Sequence, residues 1–158
     1  MTGAGRTGMD KPIHLIEYET MLLGRHNLSA HRDRRESGLL DRSAYILLSR
    51  IRLAGPMSIR QLSEAFGLDA STLNRQTAAM LRDGLVERIP DPEGGIARKF
   101  RITDEGERRL DDEREALVGG LEKILDAWTP EEVATFAAYL QRFNTDIERL
   151  AGRPWPRP

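Results

Sequence analysis

The sequence predicts a mainly α fold: a winged helix-turn-helix of six helices and a two-stranded β wing, dimerised through its N- and C-terminal helices. Three observations predict it. Residues 58–85, SIRQLSEAFGLDASTLNRQTAAMLRDGL, read as two short helices around a tight turn. A short hairpin follows at once. The first and last helices of the chain carry broad apolar faces, for which one small subunit offers no covering layer; a symmetry mate would bury them.

Taken in order, residues 1–10 are short of apolar side chains and are expected to be disordered. From Pro12 onward, Ile13, Leu15, Ile16, Tyr18, Met21, Leu22 and Leu23 crowd one long helix. Residues 26–38 are polar and arginine-rich, the end of that helix and a loop. The next helix occupies 39–53, with Asp41 near its start and Leu40, Ala44, Leu47, Leu48 and Ile51 as its core stripe. Gly55-Pro56 ends it, because proline cannot continue a helix.

In the helix-turn-helix, Leu62, Ala65 and Phe66 share one face of the first helix, and Gly67 lets the chain leave it. Asp69 is placed to accept from the free N–H groups that open the second helix. There Leu73, Thr77, Met80 and Leu81 fall on one side, and Ser71, Arg75, Ala78 and Arg82 on the other, flanked by Thr72 and Ala79. Small residues allow close approach to a surface, while hydroxyls and guanidinium groups donate to phosphate and base edges, as a recognition helix requires. The plainer alternative is a solvated helix face with incidental arginines. Residues 85–89 and 98–102 then alternate as two strands around the turn-rich 90–95, which makes the unit a winged helix.

The fifth helix starts at Thr103 or Asp104, and its spacing runs through Leu110, Leu117, Leu121, Ile124, Leu125 and Trp128; Gly119-Gly120 is expected to interrupt it. Thr129-Pro130-Glu131-Glu132 forms a capping box with proline at the first helical position. Val133, Phe136, Ala137, Leu140, Phe143, Ile147 and Leu150 continue at spacings of three or four. The proline-rich end, Arg153 to Pro158, is expected to be extended and loose.

The order and spacing of Ser58 to Phe66, Ser71-Thr72, Arg75, Leu81 to Arg88, Asp91-Pro92-Glu93, Ile102-Thr103 and Gly106 resemble the MarR family of winged-helix transcription regulators. The resemblance spans about 13–150 and is most specific over 81–106. It implies a homodimer that binds a pseudo-palindromic operator on double-stranded DNA, most often as a repressor, and that answers to a small ligand. On this reading 1–10 is a disordered N-terminus, 11–55 and 104–150 are dimerisation helices, 56–103 is the DNA-binding lobe and 151–158 is the tail. The match assigns Ser58 and Arg60 to phosphate, and Ser71, Thr72, Asn74, Arg75 and Gln76 to the major groove. It gives Arg82 and Arg88 to the DNA backbone and Arg98 and Lys99 to the wing. One departure stands out: the tip positions where the family usually carries Asp-x-Arg are Gly94, Gly95 and Ile96 here. The family's ligand cleft would be lined by His14, Tyr18 and Leu22 of the first helix and Tyr45 of the second, suited to a small aromatic or amphipathic effector. The alternative for the tyrosines is an ordinary amphipathic core role.

Composition sets bounds on function. The 158 residues contain no cysteine, which rules out disulfides, cysteine zinc sites and thiol redox switching. No apolar run suggests a secretory signal or a membrane span, so a cytoplasmic location is expected. The net charge is −1, but it is segregated: residues 25–52 hold seven bases against three acids, and 104–150 hold thirteen acids against six bases. The histidines, His14, His26 and His31, lack ligand spacing and cysteine partners, so no metal or cofactor is expected. Glu17, Glu19, Asp111, Asp112 and Glu113 read as solvated charge runs, and no catalytic motif appears, so no enzyme is expected. The alternative to a regulator is a dimeric winged-helix module that binds protein and no DNA.

Overall fold

The computed structural model describes residues 11–26, 28 and 40–158. The expected disorder of 1–10, and nearly all of the arginine-rich loop with His31, lie outside the described residues. The elements are α1 (Ile13–Arg25), α2 (Arg42–Ala54), α3 (Ile59–Phe66), α4 (Ala70–Arg82), β1 (Val86–Ile89), β2 (Lys99–Ile102), α5 (Asp104–Ile124) and α6 (Pro130–Ala151). Strands β1 and β2 pair antiparallel, with Val86 opposite Ile102 and Ile89 opposite Lys99. Met57 adds one further rung: its N–H donates to the Phe100 carbonyl at 3.1 Å and its carbonyl accepts from Phe100 at 2.8 Å. The fold is the expected winged helix.

The core lies in the middle of the chain. Leu47, Leu48 and Ile51 of α2 meet Leu62 of α3, Leu73 and Met80 of α4, Phe100 of β2 and Leu110 of α5. These side chains fall on the faces that helical spacing predicts. Leu40 joins them from just ahead of α2, whose first residue is Arg42 because Asp41 accepts from Ala44 N–H as its N-cap.

Two ties join α5 to the lobe. Arg52 of α2 pairs with Glu107 at 3.3 Å and Asp111 at 2.5 Å. Glu113 is buried and accepts from Leu40 N–H at 3.0 Å. The charge-run reading fails for Glu113, since a backbone donor 73 residues away in sequence draws its carboxylate inward. Nor does Gly119-Gly120 break α5, which continues to Ile124 with Gly120 buried.

The outer helices are unlike the rest. Neither α1 nor α6 buries a single residue. Ile13, Leu15, Ile16 and Tyr18 on α1 are exposed, as are Phe136, Leu140, Phe143 and Ile147 on α6. No described helix is long and apolar enough to cross a membrane.

The C-terminal tail departs from expectation, because it is docked. Gly152 takes φ +66°, its N–H donates to Arg149 O, and Arg153 N–H donates to Glu148 O. These two bonds form a Schellman closure that turns the chain back from α6. Trp155 then meets Phe66 of α3 edge-on at 5.2 Å between ring centroids.

Candidate nucleic-acid interface

Local chemistry sets the position of the recognition helix. Ser58 opens α3 with a full capping box: its hydroxyl accepts from Gln61 N–H at 3.2 Å, and the Gln61 side chain accepts from Ser58 N–H at 2.9 Å. Gly67 closes α3 in the left-handed conformation at φ +63°, which suits glycine. Asp69 then caps α4 and accepts from Thr72 N–H at 2.8 Å. Hydrogen bonds from Thr72, and then from the Ser71 hydroxyl, hold the Asp69 carboxyl below the usual aspartate range. Ionised, it also suits the positive end of the helix.

Helix α4 presents two contrasting faces. Leu73, Thr77 and Met80 are buried, and the Thr77 hydroxyl is satisfied by donating to Leu73 O at 2.8 Å. Ser71, Asn74, Arg75, Ala78 and Arg82 are exposed, with Thr72 and Gln76 half-buried beside them. The predicted major-groove residues therefore share one open surface. Arg60, at the start of α3, is 89% exposed in its side chain and pairs along its own helix with Glu64. Arg82 lies near Asp83 at 3.6 Å. Arg88 on β1 sits 5.5 Å from the centre of the Phe100 ring, with its residue exposed.

Two expected residues are otherwise engaged. Ser58 is only 7% exposed, and its hydroxyl oxygen accepts in the cap, a structural role beside the phosphate contact expected of it. The pattern Ser-x-x-Gln already carries that signal in the sequence. Lys99 pairs with Asp91 at 3.2 Å, and both side chains are largely covered. Asp91 also accepts from Glu93 N–H at 2.9 Å, an Asx turn that shapes the wing. That backbone bond first, and Lys99 after it, keeps the Asp91 carboxyl below its usual range. Lys99 thus braces the wing, which leaves Arg98 as its exposed cation near the tip, beside the fully exposed Ile96.

The expected ligand-cleft residues are not brought together into an enclosed site by the contacts of one chain. His14 and Tyr18 are exposed on α1, Leu22 is half-buried there, and Tyr45 packs against the core from α2. Among the described residues no cluster of histidine and carboxylates is arranged to hold a metal ion. Residues that sequence reasoning passed over line a groove of about 610 Å³ between α3, the wing base and the tail; they include Arg50, Glu64, Pro92 and Arg153.

Comparison with known proteins agrees with this geometry. Residues 40–94 match the model of the MarR family. The chain is 35% identical to the uncharacterized HTH-type transcriptional regulator YxaD of Bacillus subtilis (strain 168), over 84% of this chain and 93% of that protein. It is similar to a crystal structure of MarR, with a TM-score of 0.69, 20% identity and coverage of 92% of this chain and 99% of that one. A mutant MarR from E. coli complexed with operator DNA aligns at a TM-score of 0.53 and 20% identity, over 83% of this chain and 89% of that one.

Proposed function

Because this chain belongs to the MarR family of transcriptional regulators, we propose that it acts in the cytoplasm as a ligand-responsive repressor that binds a pseudo-palindromic operator as a homodimer. The observation that carries the reading is the open face of α4, where Ser71, Asn74 and Arg75 stand clear of every core contact on a helix capped and braced from behind. On this proposal Ser71, Thr72, Asn74, Arg75 and Gln76 read base edges, Ser58, Arg60, Arg82 and Arg88 hold the backbone, and Arg98 and Lys99 serve the wing. Two copies related by a twofold axis set two such helices about one DNA turn apart.

The second reading is a dimeric winged-helix module for a protein partner. It is favoured by the wing, whose tip carries Gly94-Gly95-Ile96 and whose Lys99 is neutralised by Asp91. Fluorescence anisotropy with fragments of the protein's own promoter separates the two. A DNA binder loses affinity steeply as salt rises, because bound phosphates release their counterions. Absence of binding at low salt would support the module.

For the effector, we propose an aromatic acid or amphiphile held where His14, Tyr18 and Leu22 meet Tyr45 once a second copy covers α1. Such a ligand acts by preferring one spacing of the two recognition helices, and its effect is bounded by its difference in affinity for the two states. Salicylate-like phenols titrated into the protein–DNA complex are expected to weaken binding, and Tyr45→Ala to blunt that response. No change with any such compound would dismiss the pocket.

A further inference from the structure

The tail after α6 makes a set of contacts too specific for a loose end. Arg50 of α2 lies over the Trp155 ring, 4.9 Å from its centre, and the same ring makes the edge contact with Phe66. Its guanidinium also donates a long 3.5 Å hydrogen bond to Pro154 O. Arg50 Nε is buried without an acceptor, and burial lowers its pKa. The ring face is thus what offsets the loss of water around this cation. The Arg153 guanidinium packs over Gly67 so closely that an added Cβ would stand 2.6 Å from its central carbon. Gly67 therefore serves twice, as the left-handed turn of the helix-turn-helix and as the seat for Arg153.

The other end of the tail is tied to α6. Arg157 pairs with Glu148 through its two terminal guanidinium nitrogens, at 2.5 and 3.0 Å, and the Trp155 backbone N–H donates to Glu148 at 3.0 Å. Pro154 and Pro156 restrict the backbone between these ties, so less chain entropy is lost on docking. Across the groove the tail faces Pro92 and Lys99 of the wing base. One segment thereby joins the last helix to α2 and to the end of α3.

We propose that Gly152–Pro158 is a strap that fixes the DNA-reading lobe relative to α6, with Trp155 as its positioning residue and Arg50 and Arg153 as its clamps. Its bearing on operator recognition rests on the reading given under Proposed function. The strap itself is defined by the angle it holds between α6 and α3. If α6 carries the dimer contact, that angle sets the separation of the two recognition helices.

The absence of native cysteine makes a direct test simple. Spin labels are placed at Ala78→Cys on α4 and Asn144→Cys on α6, both exposed positions, and labelled chains are diluted into excess unlabelled protein. The full chain is expected to give one narrow intrachain distance. Trp155→Ala is expected to broaden it, with a change of about tenfold in the ratio of docked to undocked populations. Trp155→Phe, which keeps a ring against Phe66, should restore most of the narrow component. Arg157→Ala, which cuts the tie to α6 without touching the core, should broaden it as well. An unchanged distribution in both Trp155→Ala and Arg157→Ala would overturn the strap, even if the melting temperature fell. If the distances broaden while the wild-type protein binds no DNA at any salt, the strap stands and the operator reading fails.

Discussion

Gly106→Ala is expected to lower the melting temperature by roughly 6–12 °C, corresponding to about 3 kcal/mol, the upper end of the usual cost of overpacking. Gly106 sits in the first turn of α5, where Thr103 Oγ1 accepts from its N–H at 3.0 Å and donates to Gly84 O at 2.6 Å. Thr103 N–H donates in turn to Leu85 O at 3.1 Å. The start of α5 therefore lies flush against the turn that leads from α4 into β1. A Cβ on Gly106 would stand 2.1 Å from Leu85 O and 2.8 Å from Ile102 Cγ1. A side chain can swing away, but a backbone oxygen does so only by moving β1 or lifting α5. Either movement disturbs the wing and the join to the outer helices together. Thermal unfolding followed by circular dichroism checks the value, and a melting temperature equal to wild type would show that this packing is not tight.

The second large effect concerns α6. On the dimer proposal, Leu140→Glu or Phe143→Glu is expected to convert the protein to folded monomers at micromolar concentration. In one chain Leu140 is 38% and Phe143 46% exposed, so a carboxylate there can remain in water and the core is spared. Covered by a second copy, the same carboxylate loses its hydration without a partner. That costs at least about 3 kcal/mol and raises the dimer Kd more than a hundredfold. Trp128 and Phe136, 5.5 Å apart between ring centroids, extend the same apolar surface. Sedimentation equilibrium reads the outcome. Variants that stay dimeric would place the interface elsewhere, and a monomeric wild type would remove the premise.

Much of this molecule was legible from local chemistry. The capping box at Thr129, the turn at Gly67 and the cap at Asp69 are each decided within a few residues, and each stands where the spacing puts it. The core stripe of α2 and the buried side of α4 follow from helical period alone. The misreadings share a different cause. Glu113 and the tail look solvated when judged by composition, because their partners lie elsewhere in the fold. Leu40 is 73 positions from Glu113, and Arg50 is 104 positions from Pro154. Proline-rich composition correctly describes a stiff, extended tail, but it is silent on whether a ring such as Trp155 has a surface to meet. Ser58 shows how one residue type suits two roles: its hydroxyl oxygen accepts in the cap, while the phosphate contact expected of it would use the O–H as donor.

If the exposed face of α4 reads DNA, as proposed, Arg75 should carry part of that recognition. Arg75 is exposed, lies on the same face as Ser71 and Ala78, and contributes nothing to the core, so Arg75→Ala leaves the fold intact. Anisotropy at matched salt, with wild type and Arg75→Ala against the same promoter fragment and against a scrambled duplex, is the decisive comparison. A loss of about 1–3 kcal/mol is expected on the promoter fragment, with far less change on the scrambled duplex. Equal affinity of the two proteins for the promoter fragment would contradict it.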